Sequence, residues 1–112
     1  MTAPQNGLVV AVDAMGGDYA PDVNIKGSLL ALAQAPELSI ALVGDKTQLI
    51  QKLKRRRYKG LLSKVGNRLK VIQADEVITM DDPASVAVRK KTRSSIHVGL
   101  ELLKENKAHA FV

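Results

Sequence analysis

The chain has no cysteine, which removes disulfides and thiolate metal sites from consideration. Aromatic residues make up only 3% of it, so its core must be built from Val, Leu, Ile and Ala. Such aliphatic cores are common where helices cover both faces of a sheet. The two histidines, His97 and His109, stand at a spacing that suggests no ligand pair. No apolar run approaches the length needed to cross a bilayer. The opening Met1-Thr2-Ala3-Pro4-Gln5-Asn6-Gly7 lacks the basic and apolar regions of a signal peptide. These features are compatible with a cytoplasmic protein.

Acid is missing from one stretch in particular. Residues 46–74 hold ten of the 17 Lys and Arg and no Asp or Glu. The rest carries seven basic and eleven acidic residues, so the net charge of +6 is local. A chain of 112 residues with 46% apolar content matches one small domain. Residues 1–7 read as an unstructured lead-in.

Short apolar runs alternate with helical patterns. Leu8–Asp13, Leu38–Val43, Leu69–Ala74 and Ala108–Val112 read as strands. The first is continuous and apolar, like a strand buried on both faces. Between the first two, residues 22–34 read as a helix, with Val23, Leu29, Leu30 and Ala33 in loosely helical spacing, stopped by Pro36. Asp45 is a candidate N-cap for a helix holding Leu49, Ile50 and Leu53. Gly60 and Gly66 interrupt the basic stretch beyond it, for which a solvated loop and a docking surface are equal alternatives. Asp82-Pro83 is a helix-start pair. Ser94 or Ser95 caps or kinks a last helix, with Ile96, Leu100 and Leu103 on one face and His97, Glu101 and Lys104 on another. Strand, helix, strand, helix, strand, helix, strand is the order of an α/β fold: a Rossmann-like three-layer α/β/α arrangement with a mostly parallel sheet, here an incomplete N-terminal portion.

Three segments have the composition of functional sites. Asp13-Ala14-Met15-Gly16-Gly17-Asp18-Tyr19-Ala20-Pro21 lies between a strand and a helix, where such folds bind ligands. Gly16 and Gly17 let backbone N–H groups approach an anion. The spacing is neither the dinucleotide pattern nor a Walker A loop, which disfavours a nucleotide-dependent dehydrogenase. Asp13 and Asp18 suit the orientation of cations and the capping of N–H groups. The competing reading is a plain glycine turn capped by Asp18. In the second segment, Arg89-Lys90-Lys91-Thr92-Arg93-Ser94-Ser95 packs four cations and three hydroxyls into seven residues, the donor set a phosphate needs. A solvated helical face is the plainer alternative. The third segment, Lys52 to Lys59, has Arg55, Arg56, Arg57 and Lys59 as candidate docking residues for an acidic partner. With one aromatic in it, base stacking on nucleic acid is poorly supported.

Taken together, Val12–Pro21 and Asp82–Ser95 resemble the two N-terminal signature blocks of the phosphate acyltransferase family (PlsX). The resemblance runs from Leu8 to Val112, about a third of a family member. It implies transfer of an acyl group from acyl carrier protein to inorganic phosphate, in phospholipid synthesis. It also implies a homodimer in peripheral contact with the membrane, without cofactor or metal. By that resemblance Arg89, Lys90 and Lys91 are the candidate catalytic residues. Asp13, Gly16, Gly17, Asp18, Ser94 and Ser95 are candidates for phosphate or acyl-phosphate contacts. The 112-residue chain alone is then expected to be inactive. A reading from another class is a non-catalytic binding module that docks an acidic partner through its basic segment.

Overall fold

In the computed structural model, residues 7–74 and 94–112 are described. The element order is β1 (Leu8–Asp13), α1 (Asp22–Gln34), β2 (Leu38–Gly44), α2 (Lys46–Leu53), a 3-10 turn (Arg56–Tyr58) and α3 (Lys59–Val65). A second 3-10 turn (Gly66–Arg68), β3 (Leu69–Gln73), α4 (Ser95–Lys104) and β4 (Ala110–Phe111) follow among the described residues. The four strands form one sheet in the order β3-β2-β1-β4, and every pairing is parallel.

Strand alternation divides the core into two layers. Val12, Ile40 and Leu42 face α1, α2 and α3, where Ile25, Leu29, Leu32, Leu49, Tyr58 and Val65 are buried. Val9, Ala11, Ala41 and Val43 face α4, through Val98 and Leu102. Successive strand residues point to opposite faces, so a sheet covered on both sides needs unbroken apolar strands. That is how β1 and β2 read.

The helix faces differ from the periodicity reading. In α1 the buried residues are Ile25, Ser28, Leu29 and Leu32, whereas Val23 and Leu30 are exposed. In α4 they are Ser95, Val98, Gly99 and Leu102, and Leu100 is half exposed. Small residues account for the difference: Ser28, Ser95 and Gly99 are buried, and at Gly99 an added Cβ would meet the Phe111 ring, a signal hydrophobicity does not carry. The basic stretch also departs from a loop. Tyr58, half-buried Leu61 and Leu62, and Val65 give it an apolar face that folds as α3 despite Gly60.

Polar ties close the ends. Asp45 caps α2, its Oδ1 accepting from Gln48 N at 3.3 Å. The Arg68 guanidinium donates to the carbonyls of Leu32, Ala35 and Leu38 at 2.8–3.1 Å, satisfying acceptors at the end of α1 and the turn into β2. At the amino edge of the sheet, His109 N donates to Val9 O and His109 Nδ1 accepts from Val9 N, prolonging the short β1–β4 pairing.

Candidate functional site

Because all strands are parallel, their carboxyl ends share one edge. From β1 the chain steps outward to β2 and β3, then returns to place β4 on the other side of β1. The reversal makes the carboxyl ends of β1 and β4 the switch point, where open α/β sheets bind ligands. Asp13 N donates to Val112 O there at 2.8 Å. The glycine loop leaves β1 at this point.

The loop is held from inside. Ala14 N still donates to Val43 O at 2.9 Å, so the chain leaves the sheet only after Ala14. Asp13 Oδ1 then accepts from Met15 N at 3.1 Å. A Cβ on Gly16 would lie 2.9 Å from Asp13 Oδ2, so glycine is what lets the carboxylate fold under the turn. Gly17 has φ +96°, a conformation side chains other than glycine rarely adopt. Asn24, in the first turns of α1, donates through Nδ2 to the carbonyls of Asp13, Ala14 and Gly16 at 3.1, 3.0 and 2.9 Å. With those carbonyls turned inward to the amide, Gly17 and Asp18 present an exposed stretch of backbone.

Asp13 therefore has the N–H-binding role expected of it. Asp18 does not: it is exposed and makes no hydrogen bond with the described residues, and α1 begins after Pro21 without a side-chain cap. Asn24, which no motif in the sequence marks, takes the organising role. Among Asp22, Lys26 and Ser28 in the same two turns, nothing in the sequence sets it apart.

Ser94 and Ser95 open α4 on the same edge, since α4 runs back toward the start of β4. Both are buried. Ser94 is the N-cap: its Oγ accepts from His97 N at 3.3 Å and lies 3.0 Å from His97 Nδ1. His97 is half-buried against that hydroxyl rather than on a free polar face. Arg89, Lys90 and Lys91, with the Asp82-Pro83 pair, lie outside the described residues.

The basic segment is tied to the same side of the molecule. Asp22, the first residue of α1, pairs with Lys52 at 3.1 Å and with Arg55 at 3.6 Å. Arg57 stacks on Tyr58, its Cζ 5.1 Å from the ring centroid. Lys52's hydrogen bond, with Lys52, Arg55 and Arg57 as nearby charges, holds the Asp22 carboxyl below the usual aspartate range. A lowered carboxyl pKa stabilises the fold above the unfolded value and loses that contribution as pH falls through the folded one. Asp22→Asn should therefore release the basic turn. Amide exchange of residues 55–58 should speed up at neutral pH in the variant and converge with the parent in acid below the aspartate range. Equal exchange at neutral pH would dismiss the tie.

Among the described residues, no helix is long and apolar enough to cross a membrane, and no group of three His, Asp or Glu is placed to hold a metal.

Fold and edge together define a doubly wound parallel α/β domain with a glycine loop at its switch point. A family described as fatty acid synthesis protein matches residues 8–112. The chain belongs to this family, whose relatives bear the name phosphate acyltransferase. It is 46% identical over 105 residues to the phosphate acyltransferase of Caldanaerobacter subterraneus subsp. tengcongensis, covering 94% of this chain and 29% of that protein. The Thermoanaerobacter pseudethanolicus protein is 45% identical over 103 residues, covering 92% and 28%. One from Coxiella burnetii is 40% identical over 103 residues, covering 92% and 29%. The chain thus spans less than a third of the length of these curated relatives.

Proposed function

We propose that this chain supplies the glycine-loop portion of an enzyme that transfers an acyl group from acyl carrier protein to inorganic phosphate. The observation that carries the reading is the glycine loop, held open by Asn24 at the β1–β4 switch point of a chain in this family. Hydrogen phosphate is already an oxygen nucleophile at neutral pH. One of its oxygens attacks the thioester carbonyl carbon; a C–O bond forms, the C–S bond breaks, and the electron pair leaves on sulfur. The thiolate then takes a proton, from hydrogen phosphate or water. The protein's share is to position phosphate and to stabilise the tetrahedral oxyanion with fixed donors.

In this reading Arg89, Lys90 and Lys91 neutralise phosphate and the developing charge. The backbone at Gly16 and Gly17 approaches the same anion, and Ser94 and Ser95 fix the start of the helix that follows. Asp13 and Asn24 shape the loop, with Asp18 at its exposed rim. The enzyme works as a homodimer in peripheral contact with the membrane, where acyl phosphate is consumed in phospholipid synthesis.

The test is acyl phosphate formation, trapped as hydroxamate. A protein carrying this chain within the full length of its relatives should form it from acyl carrier protein thioester and phosphate; the 112-residue chain alone should not. In the full-length protein, alanine at the phosphate-contacting member of Arg89, Lys90 and Lys91 should cost about 1.5–3 kcal/mol of transition-state stabilisation. Full activity in all three single variants would take the segment out of the site.

A further inference from the structure

The turn between α2 and α3 carries a groove of about 470 Å³ lined by Leu53, Lys54, Arg55, Arg56, Lys59 and Leu62. The sequence suggested Arg55, Arg56, Arg57 and Lys59 as the docking cations. The structure divides them differently. Arg55 is turned toward Asp22 and Arg57 lies over Tyr58, so both are engaged within the fold. Lys54, Arg56 and Lys59 are exposed at the groove and form no ion pair among the described residues. Leu53 is buried and Leu62 half-buried, so the apolar floor is recessed beneath a cationic rim.

We propose that this groove docks an acidic amphipathic helix of a partner protein, one apolar side chain entering between Leu53 and Leu62 and flanking carboxylates meeting Lys54, Arg56 and Lys59. Three observations select this occupant. Ten cations with no acid over residues 46–74 call for an anionic partner. The leucines are recessed rather than protruding, so they receive a side chain and cannot themselves insert into a bilayer. Tyr58 is buried, so it offers no platform for a nucleic-acid base. Helices that lay an apolar face with flanking charges into a groove are a recurrent recognition mode. The Asp22 pairs hold the groove beside the first turn of α1, next to the glycine loop. A thioester carrier docked there would arrive on the side of the proposed site, so the choice of carrier rests on the function proposed above.

Binding of acyl carrier protein to the 112-residue chain, followed by calorimetry across a salt series, tests the docking without requiring turnover. Lys54→Glu, Arg56→Glu and Lys59→Glu combined should weaken binding at least tenfold at low salt and flatten the salt dependence, since steering between exposed charges is screened beyond about 8–10 Å. A charge-matched control, Lys26→Glu, Lys64→Glu and Lys104→Glu, should stay within about twofold of the parent, a range smaller than the effect of rim contacts. Amide shifts of the parent chain on adding the carrier should centre on residues 53–62, which tests the surface even if the reversed variant folds poorly. Equal weakening in both triple variants, or shifts elsewhere, overturns the proposal. So does binding to phosphatidylglycerol vesicles or single-stranded DNA that depends on the same cations when carrier binding is absent. Acyl phosphate formation by the full-length protein is a separate readout, so loss of the docking claim leaves the catalytic reading standing, and the reverse holds too.

Discussion

Gly99→Val should cost the fold about 1–3 kcal/mol, because an added carbon between α4 and β4 must displace the Phe111 ring. A Cβ on Gly99 runs into the Phe111 ring along one edge, at Cδ1, Cε1 and Cζ. That ring closes the α4 side of the core, packed against the layer of Val9, Ala11 and Val98. Alanine would gain up to about 1 kcal/mol in helix propensity and lose more to the clash. Valine adds two methyl groups to the same collision. Gly27 provides the matched comparison, since it lies in α1 with nothing within 4 Å of an added Cβ. Gly27→Ala should stabilise the chain by about 0.5–1 kcal/mol. Urea midpoints for the two variants should therefore move in opposite directions. Phe111→Leu should recover part of the loss in a Gly99→Ala background, as contacting residues do not behave additively. A Gly99→Val chain that unfolds with the parent would mean that α4 does not pack on β4 this closely.

The same glycine shows where the sequence is readable and where it is not. The run from Leu8 to Asp13 and the run from Leu38 to Val43 are continuous and apolar because both sheet faces are covered, and that pattern is visible in one dimension. So are Asp45 before α2 and the glycine loop after β1, since each depends on local chemistry. The faces of α1 and α4 are another matter. They are marked by small buried residues, Ser28, Ser95 and Gly99, and at Gly99 the Phe111 ring excludes a larger side chain, while Leu100 is left half exposed. Asn24 is hidden for a related reason: its partners are backbone carbonyls, which every residue possesses and no sequence pattern marks. That Arg55 and Arg57 are engaged by Asp22 and Tyr58 while Lys54 forms no ion pair among the described residues depends likewise on Asp22, thirty-odd residues earlier in the chain, and on the buried Tyr58 ring.

Asn24→Asp should be the most damaging isosteric change in the site, because it replaces the donor that organises the loop by an acceptor of the same shape. The two hydrogens of Asn24 Nδ2 serve three carbonyls, those of Asp13, Ala14 and Gly16, at 2.9–3.1 Å. A carboxylate there satisfies none of them and faces three oxygens of partial negative charge. Net hydrogen bonds contribute about 1 kcal/mol each, and a stranded, partly buried acceptor costs more, so a loss of roughly 2–4 kcal/mol is expected at neutral pH. A favourable term opposes it, since a negative charge in the first turns of α1 gains about 0.3–1 kcal/mol from the helix dipole. That term is too small to win. Asn24→Leu, without donor or charge, should fall between the parent and the carboxylate. The pH dependence separates the causes. The carbonyls disfavour ionisation, so the introduced carboxyl has a raised pKa in the folded state, and the unfolded state releases its proton first. Stability of the variant must then rise relative to the parent as pH falls, because a protonated carboxyl regains one donor; the leucine variant should show no such recovery. In a full-length protein the loop variants should lose acyl phosphate formation in the same order as they lose stability of the loop, measured by amide exchange at Gly16 and Gly17. An aspartate variant as stable as the parent at pH 7, with unchanged exchange at those two glycines, would show that the loop holds its shape without Asn24.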